Sequence, residues 1–294
     1  MKAIPDISIQ EIARSFSKAA ASYDDCAILQ NTVGDRLLER LDYVKIQPKI
    51  ILDLGCGTGH YISPLKKRYP KAQVIGVDVA HGMLKTAMRK NTRLLSKPLL
   101  MGGNAYALPL ADESCELIFS NLAFQWCYDL PRLFSEMNRV LKPGGLLMFT
   151  SFGPDTLFEL RQAWQAIDSY QHVNNFVDMH DVGDALLQSQ FLDPVMDCER
   201  ITMQYKQLRA LMQDLKGLGA HNLNQQRRKS LTTPASLKRL EESYEVFRRN
   251  EDLPATYEVV YGHAWATEIK QIQLAPGSVA IPIDKIGGLK KKSR

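Results

Sequence analysis

The stretch ILDLGCGTGH, residues 51–60, has the residue types and spacing that most directly suggest chemistry. Its apolar run ends in an acid, Asp53, and glycines follow at every second position, Gly55, Gly57 and Gly59. Glycines let a backbone turn tightly and approach a ligand with no Cβ in the way. A helix that begins after such a turn offers free N–H groups at its N-terminus. The stretch therefore predicts a strand, a tight turn and a helix that together form a cofactor-binding loop.

Two classes of cofactor use a glycine-rich loop of this kind. Dinucleotides place their pyrophosphate on the helix N-terminus, with the fingerprint GxGxxG, whereas S-adenosylmethionine lays its amino-acid moiety along the loop. His60 occupies the position that would complete GxGxxG, which disfavours a dinucleotide. A second acid, Asp78, ends the next apolar run 25 residues after Asp53, where a carboxylate can accept hydrogen bonds from both ribose hydroxyls. Asp78 thus indicates a nucleoside without deciding which one.

A third element follows, GGNAYALPLADESCELIFSNLAFQW, residues 102–126. In this order and at this spacing, the three elements resemble the class I S-adenosylmethionine-dependent methyltransferases. The resemblance implies that Asn104, where that family usually has Asp, accepts a hydrogen bond from the adenine amino group. It also implies that further residues contact the cofactor, namely Cys56, Val79, Met83, Ala105 and Asn121.

The composition narrows the class of protein. The chain has 294 residues, of which 45% are hydrophobic and 23% charged, as in ordinary globular proteins. No run reaches the 18 or so apolar residues of a membrane span, and the N-terminus lacks the apolar region of a secretory signal. The five cysteines form no CxxC pair, so neither a disulfide framework nor a zinc site is predicted. We expect a cytoplasmic protein without a metal, and the net charge of +5 is too weak to indicate nucleic acid.

The order of apolar and amphipathic stretches predicts the fold. From Lys49 onward they alternate as strand and helix, which is typical of an α/β protein with a parallel sheet and helices on both faces. The resemblance implies a Rossmann-like, seven-stranded, mostly parallel sheet with one antiparallel strand. The pattern divides the chain into an N-terminal helical lid (1–45), a cofactor-binding core (46–204), a helical insertion (205–253), the last strand of the core (254–266) and a loose tail (267–294).

Other stretches carry a more specific resemblance: FSKAAASYDDCAILQ, LMQDLKGLGAHN and ATYEVVYGHAW. Together they resemble the malonyl-acyl-carrier-protein O-methyltransferases of biotin synthesis, from about Arg14 to Trp265. GAHN and YEVVYGHAW are the most specific parts, because general methyltransferases lack them. The family transfers a methyl group to the free carboxylate of a malonyl thioester on acyl carrier protein. That step masks the charge so that fatty-acid enzymes can elongate the chain.

The expected nucleophile is a carboxylate, which is almost fully ionised at pH 7 and needs no general base. The site must instead align the reacting atoms at about 3–3.5 Å and exclude water. An arginine is the natural partner for a carboxylate because its guanidinium binds in a bidentate manner. Arg209 and Arg227 are the candidates in the insertion, and His221 and His263 are weaker ones.

Three residues are expected beside the methyl group. Gln125 and Trp126 follow the predicted fourth strand, where residues of such enzymes usually line the site of the methyl group. We assign them, together with Arg209, to the catalytic site. The family resemblance implies that the N-terminal segment folds over the cofactor. Tyr23 would then contact the methionine end of the cofactor or the methyl region.

The partner expected from the resemblance is an acidic carrier protein, with malonyl-coenzyme A left open as an alternative substrate. An acidic partner favours a basic surface near the mouth of the pocket. Three clusters are candidates: Arg227, Arg228 and Lys229; Arg248 and Arg249; and Lys85, Arg89, Lys90 and Arg93. Two other functions stay open, a related methyltransferase acting on another small acid or a quinone precursor, and an assembly factor that binds the cofactor without methyl transfer.

Overall fold

A seven-stranded sheet organises the chain in the computed structural model, which describes residues 8–91, 98–220, 222, 233–267, 273–275 and 278–279. Its strands are β1 (Ile50–Leu54), β2 (Gln73–Asp78), β3 (Leu99–Gly102), β4 (Cys115–Ser120), β5 (Leu141–Phe152), β6 (Phe191–Tyr205) and β7 (Leu253–Ala266). Two short strands, β8 (Gln273–Ala275) and β9 (Ser278–Val279), pair with each other in the segment where the sequence suggested a loose tail.

The helices of the described ranges alternate with the strands through the core and form the lid and the insertion. They are α1 (Ile9–Ala19), α2 (Tyr23–Cys26), α3 (Ile28–Arg40), α4 (Ile62–Arg68), α5 (His81–Lys90), α6 (Leu130–Val140), α7 (Phe158–Gln165), α8 (Met179–Gln188), α9 (Leu208–Gly217) and α10 (Pro234–Tyr244). Among them, no helix is long and apolar enough to cross a membrane.

The strand order is β3-β2-β1-β4-β5-β7-β6. Strand β7 runs antiparallel to both of its neighbours, β5 and β6, and the other pairings are parallel. This confirms the predicted seven-stranded, mostly parallel sheet with one antiparallel strand. Because β1 lies between β2 and β4, the chain reverses direction across the sheet there. Ligands bind at the carboxyl ends of the strands beside such a reversal.

Helices cover both faces of the central strands, as in other parallel sheets. Alternate residues of β1 point to opposite faces, so Ile51 joins one apolar cluster and Leu52 the other. The first cluster includes residues of α3, α4, α7, α9 and α10, and the second includes residues of α6 and α8. The two clusters fix the strands, and thereby the loops at their carboxyl ends.

The N-terminal lid and the insertion contact each other at the carboxyl ends of the strands. The Ser15 hydroxyl of α1 donates to the Gly219 carbonyl at 2.8 Å, and the Ser22 hydroxyl donates to the Gly217 carbonyl at 3.0 Å. On the other side, the N–H of Gly82 in α5 donates to the Ser17 hydroxyl at 3.1 Å. Helix α1 is therefore held between the core and the insertion.

Candidate active site

The glycine loop has the backbone that its sequence predicts. Gly55, Gly57 and Gly59 all adopt left-handed conformations, with φ of 72°, 53° and 76°, which non-glycine residues rarely adopt. The N–H groups of Gly55 and Cys56 both donate to the Val77 carbonyl, at 2.8 and 3.1 Å. These bonds tie the loop to the end of β2, so that its inner surface faces a cavity.

Gly57 lies on the wall of that cavity. A Cβ built there would meet nothing within 4 Å, whereas one built on Gly59 would meet Ala87 and Ile62 at 3.0 Å. Only Gly57 therefore leaves space that a ligand can fill. Gly59 and Cys56 line no part of the cavity, and they shape the loop from behind.

Asp78 ends β2 and lines the same cavity. One carboxylate oxygen accepts from the Gly57 N–H at 2.9 Å, and the other accepts from the Ala80 N–H at 2.7 Å. Burial raises the pKa of Asp78, and the two backbone hydrogen bonds oppose that rise. Each oxygen keeps a second lone pair, which suits it to accept from ribose hydroxyls.

Asp53 lies behind the loop and is buried. Its Oδ2 has no hydrogen-bond partner within the described part of the chain. Burial first, and then the charge of Asp78, raise the pKa of Asp53 from 3.8 to about 8. A buried acceptor without a partner is costly. Asp53 is not part of the cavity wall, so its predicted contact with the cofactor stays a prediction.

The raised pKa of Asp53 predicts how stability depends on pH. Without cofactor, the free energy of unfolding should fall as the pH rises from about 4 to about 8, because there the unfolded chain releases a proton that the folded chain retains. Above pH 8 this contribution should level off. The Asp53→Asn variant, which cannot titrate at this position, should have a smaller slope in urea unfolding over the same range, because the raised pKa of Asp78 still contributes. The same slope in both proteins would contradict the raised pKa of Asp53.

The cavity beside the loop has an empty volume of about 820 Å³, part of which is open to solvent. It extends from the glycine loop past Asp78 to the ends of β3 and β4. Most of the predicted cofactor residues lie on its wall: Tyr23, Gly55, Gly57, Asp78, Val79, Met83, Asn104, Ala105 and Asn121.

Asn104 closes the end of this cavity next to β3. Its side-chain oxygen accepts from the Tyr106 N–H at 3.0 Å, so the residue shapes its own turn. The same oxygen retains a lone pair for an adenine amino group. Asn104 thus has a structural role in its turn and lies on the cavity wall, and its contact with adenine stays a prediction.

An acid of the lid fastens the N-terminal segment to the glycine loop. Asp24 accepts from the Thr58 hydroxyl at 2.6 Å and from the Lys90 ammonium at 2.8 Å. Burial raises the pKa of Asp24, but the hydrogen bonds from Lys90 and Thr58 outweigh that effect and lower it. The neighbouring residue, Tyr23, is thereby held against the cavity.

A second cavity adjoins the first one and shares four wall residues with it, Phe16, Tyr23, Leu122 and Trp126. The Phe16 and Trp126 rings meet edge to face, with centroids 5.3 Å apart. The rest of its wall comes from distant parts of the chain: Gln30, Gln125, Phe152, Thr156, Leu157, Asn174, Phe176, Leu215, Leu218, Ala220 and Tyr257. The insertion thus covers the second cavity, and the two cavities meet at Tyr23.

The loop after β4 separates the two cavities. Leu122 has a φ of 49°, a strained value for a non-glycine residue that persists where its surroundings enforce it. The buried Thr150 enforces it, because its hydroxyl accepts from the Leu122 N–H and donates to the Asn121 oxygen, both at 2.8 Å. The Gln125 amide donates to the Leu122 carbonyl at 2.6 Å, which leaves the Gln125 oxygen buried without a partner among the described residues.

The structure does not bring Arg209 to either cavity. Its side chain is 65% exposed, and its Nε donates to Glu241 at 2.8 Å on the outside of the insertion. His263 lines neither cavity and lies half-buried on β7. The other two carboxylate-binding candidates, Arg227 and His221, lie outside the described residues. The described wall of the second cavity contains no Lys, Arg or His.

The described members of the predicted basic clusters line neither cavity. The Arg248 guanidinium pairs with Glu245 at 2.6 Å, and Lys90 pairs with Asp24. The cluster from Arg227 to Lys229, like Arg93, falls outside the described residues. No group of three or more His, Cys, Asp or Glu side chains in the described ranges could hold a metal ion.

Sequence reasoning missed several residues of the cofactor cavity. Helix α1 contributes Ile9, Ile12 and Phe16, and the core contributes Tyr106 and Cys127. The spacing of the three α1 residues marks one face of an amphipathic helix. That pattern was visible in the sequence, but it did not say what the face covers.

Comparisons with known proteins agree with this arrangement. A family model described as a methyltransferase domain matches residues 52–149. A putative methyltransferase from Bacillus halodurans has a similar fold, with a TM-score of 0.57 and 16% identity over 80% of this chain and all of that one. Phosphoethanolamine N-methyltransferase 2 of Haemonchus contortus, solved with S-adenosylmethionine, has a TM-score of 0.54 and 17% identity over 85% of this chain and 57% of that one.

Two curated relatives are much closer in sequence, and both are named malonyl-[acyl-carrier protein] O-methyltransferase. The one from Gallionella capsiferriformans is 49% identical over 88% of this chain and 91% of its own length. The one from Nitrosospira multiformis is 43% identical over 92% of this chain and 93% of its own length.

The fold, the glycine loop and the cavity beside it define a class I methyltransferase that uses S-adenosylmethionine. Within that class, the extent of the two alignments makes the assignment specific. The chain belongs to the malonyl-[acyl-carrier protein] O-methyltransferase family.

Proposed function

We propose that this chain transfers a methyl group from S-adenosylmethionine to the free carboxylate of a malonyl thioester on acyl carrier protein, in an early step of biotin synthesis. The observation that carries this proposal is family membership over most of the chain. The reaction is assigned to the cytoplasm, because its product enters fatty-acid elongation.

Methyl transfer to a carboxylate requires mainly that the protein position the methyl donor and the acceptor. When bound, S-adenosylmethionine supplies an electrophilic methyl group on a positively charged sulfur. The acceptor is already an anion at neutral pH, so no side chain has to remove a proton. The protein must exclude water, since a hydrated carboxylate is a poor nucleophile. Phe16, Leu122 and Trp126, the apolar residues common to both cavities, serve that purpose.

Tyr23 is the polar residue at the junction of the two cavities. Burial, and then the charges of Asp78 and Asp24, raise the pKa of its phenol, so it stays a hydrogen-bond donor at physiological pH. We assign to it a neutral hydrogen bond to the malonyl carboxylate. A neutral donor orients the anion with less loss of nucleophilicity than a paired guanidinium would cause. This assignment replaces Arg209, which lies outside the site.

Two buried amide oxygens support a pantetheine thioester as the acceptor. The side-chain oxygens of Gln30 and Gln125 lie in the wall of the second cavity and have no partner within the described residues. Both accept hydrogen bonds from N–H or O–H donors. The arm of a carrier thioester brings an amide N–H two carbons from its sulfur. The same arm occurs in coenzyme A, so these two oxygens support a thioester and do not favour the carrier over coenzyme A.

A series of carrier thioesters that differ only in the acyl group tests the proposal. With methyl-labelled S-adenosylmethionine, label should pass to malonyl-carrier and much more slowly to succinyl-carrier, whose longer acid displaces the carboxylate from the junction. Acetyl-carrier, which has no free carboxylate, should acquire none. Equal labelling of the malonyl and succinyl forms, or cofactor binding without labelling of either, would count against the proposal.

A further inference from the structure

A groove lies between α1 and α9 on the outer side of the lid, and basic side chains line it. Arg14 and Lys18 come from α1, and Lys216 comes from α9. All three are exposed, and within the described residues the structure gives none of them an ion pair. One acid, Glu11, lies on the same wall. The groove therefore has a net positive charge and suits an anionic partner.

The floor of the groove is the seam that joins the lid to the insertion. Ser15 and Ser22 donate across it to the carbonyls of Gly219 and Gly217. The backbones approach closely there, since a Cβ on Gly219 would lie 3.1 Å from the Ser15 carbonyl oxygen. The three basic side chains are thus held along a fixed line on either side of the seam.

The second cavity lies directly behind this seam. The two faces of α1 border different spaces. One face lines the groove with Arg14, Ser15 and Lys18. The other face lines the cavities with Ile12 and Phe16. On the other side of the seam, Gly217 and Gly219 line the groove, and Leu218 and Ala220 line the second cavity. The groove is therefore a basic surface next to the second cavity, where the proposed function places the malonyl thioester.

We propose that this groove, with Arg14, Lys18 and Lys216, is the docking surface for the carrier protein and receives the phosphodiester at the base of its pantetheine arm. This inference rests on the proposed function, which supplies the carrier as substrate. A carrier presents a negative phosphodiester next to an acidic surface, and its arm must reach a buried site. The groove offers the complementary charge beside the wall of that site.

The test combines Arg14→Gln, Lys18→Gln and Lys216→Gln in one variant. The matched control combines Lys45→Gln, Lys67→Gln and Lys71→Gln, which removes three exposed charges at the opposite, amino edge of the sheet. Surface plasmon resonance then measures the affinity of each protein for holo-carrier, a measurement that requires no turnover. The groove variant should bind about tenfold more weakly than wild type, with most of the change in the association rate. The control should bind like wild type.

Kinetics with three malonyl thioesters complete the test. The KM for malonyl-carrier should rise about tenfold in the groove variant and lose its dependence on salt. The KM for malonyl-pantetheine, which has neither protein nor phosphate, should not change. An equal rise for malonyl-pantetheine would mean that these residues only support the lid. An equal rise for malonyl-coenzyme A would mean that the groove recognises phosphate alone. Either result, or unchanged holo-carrier binding, would overturn the docking surface.

The binding measurement separates this proposal from the proposed function. If wild type binds holo-carrier through the groove but does not methylate malonyl-carrier, the proposed function fails and the docking surface stands. If wild type methylates malonyl-carrier and the groove variant does so with an unchanged KM, the docking surface fails and the function stands.

Discussion

Gly57→Val is expected to lower the affinity for S-adenosylmethionine at least a hundredfold, which corresponds to about 2.7 kcal/mol. Gly57 is the glycine of the loop whose missing side chain leaves open space in the cofactor cavity. A valine side chain would occupy that space, and binding could recover only if the loop moved. Isothermal titration calorimetry of the cofactor with the purified variant measures the effect directly.

Gly144→Val is the matched control for this prediction. Gly144 also has a left-handed backbone, with φ of 69°, and a Cβ there would meet nothing within 4 Å, but it is exposed near the start of β5 and lines no part of the cavity. Both variants should lose about 1–2 kcal/mol of stability from backbone strain. Only Gly57→Val should lose cofactor affinity. Equal losses of affinity in the two would assign the effect to strain and not to the occupied cavity.

Asp78→Ala is expected to weaken cofactor binding by about 1–3 kcal/mol, the range for leaving polar partners unpaired in a buried site. The substitution removes the carboxylate assigned to the ribose hydroxyls. It also frees the N–H groups of Gly57 and Ala80, which that carboxylate now accepts from. Calorimetry with S-adenosylmethionine and with S-adenosylhomocysteine should show the same loss, since both carry the ribose.

The control for Asp78→Ala is Asp129→Ala. Asp129 also accepts from a backbone N–H, that of Arg132 at 3.2 Å, where it caps α6. Its removal should cost about 1 kcal/mol of stability and leave cofactor affinity unchanged. Unchanged affinity in Asp78→Ala itself would refute the ribose assignment.

The cofactor half of the site could be predicted because it is local in the sequence. The alternating glycines dictate left-handed turns, and an acid that ends the next strand must lie beside them when the two strands are parallel neighbours. Gly57 and Asp78 therefore meet through short connections and one strand pairing. No knowledge of the lid was needed to bring them together.

The acceptor half could not be predicted, because its wall is assembled from distant segments. Gln30, Asn174, Leu215 and Tyr257 share one cavity but no sequence pattern. Their proximity depends on how the lid and the insertion pack on the sheet edge, and helix packing is decided by tertiary contacts that a single sequence does not reveal.

The helical spacing of the leucines in α9 explains why Arg209 lies outside the site. In α9, Leu208 and Leu211 are buried, and Leu215 and Leu218 extend the same face toward the second cavity. A residue directly after Leu208 points away from that face. The guanidinium of Arg209 is suited to bind a carboxylate, but the side chain lies on the solvent-exposed face of α9.

The most direct test of carboxyl methylation is the intact mass of malonyl-carrier after incubation with the purified protein and S-adenosylmethionine. We expect a gain of one methylene on the malonyl form, lost again under mild alkaline hydrolysis as expected for an ester, and no gain on acetyl-carrier. Gly57→Val should abolish the gain and Gly144→Val should retain it. Cofactor binding with an unchanged carrier mass would refute methylation of the malonyl carboxylate and would assign the protein another acceptor or a role without methyl transfer.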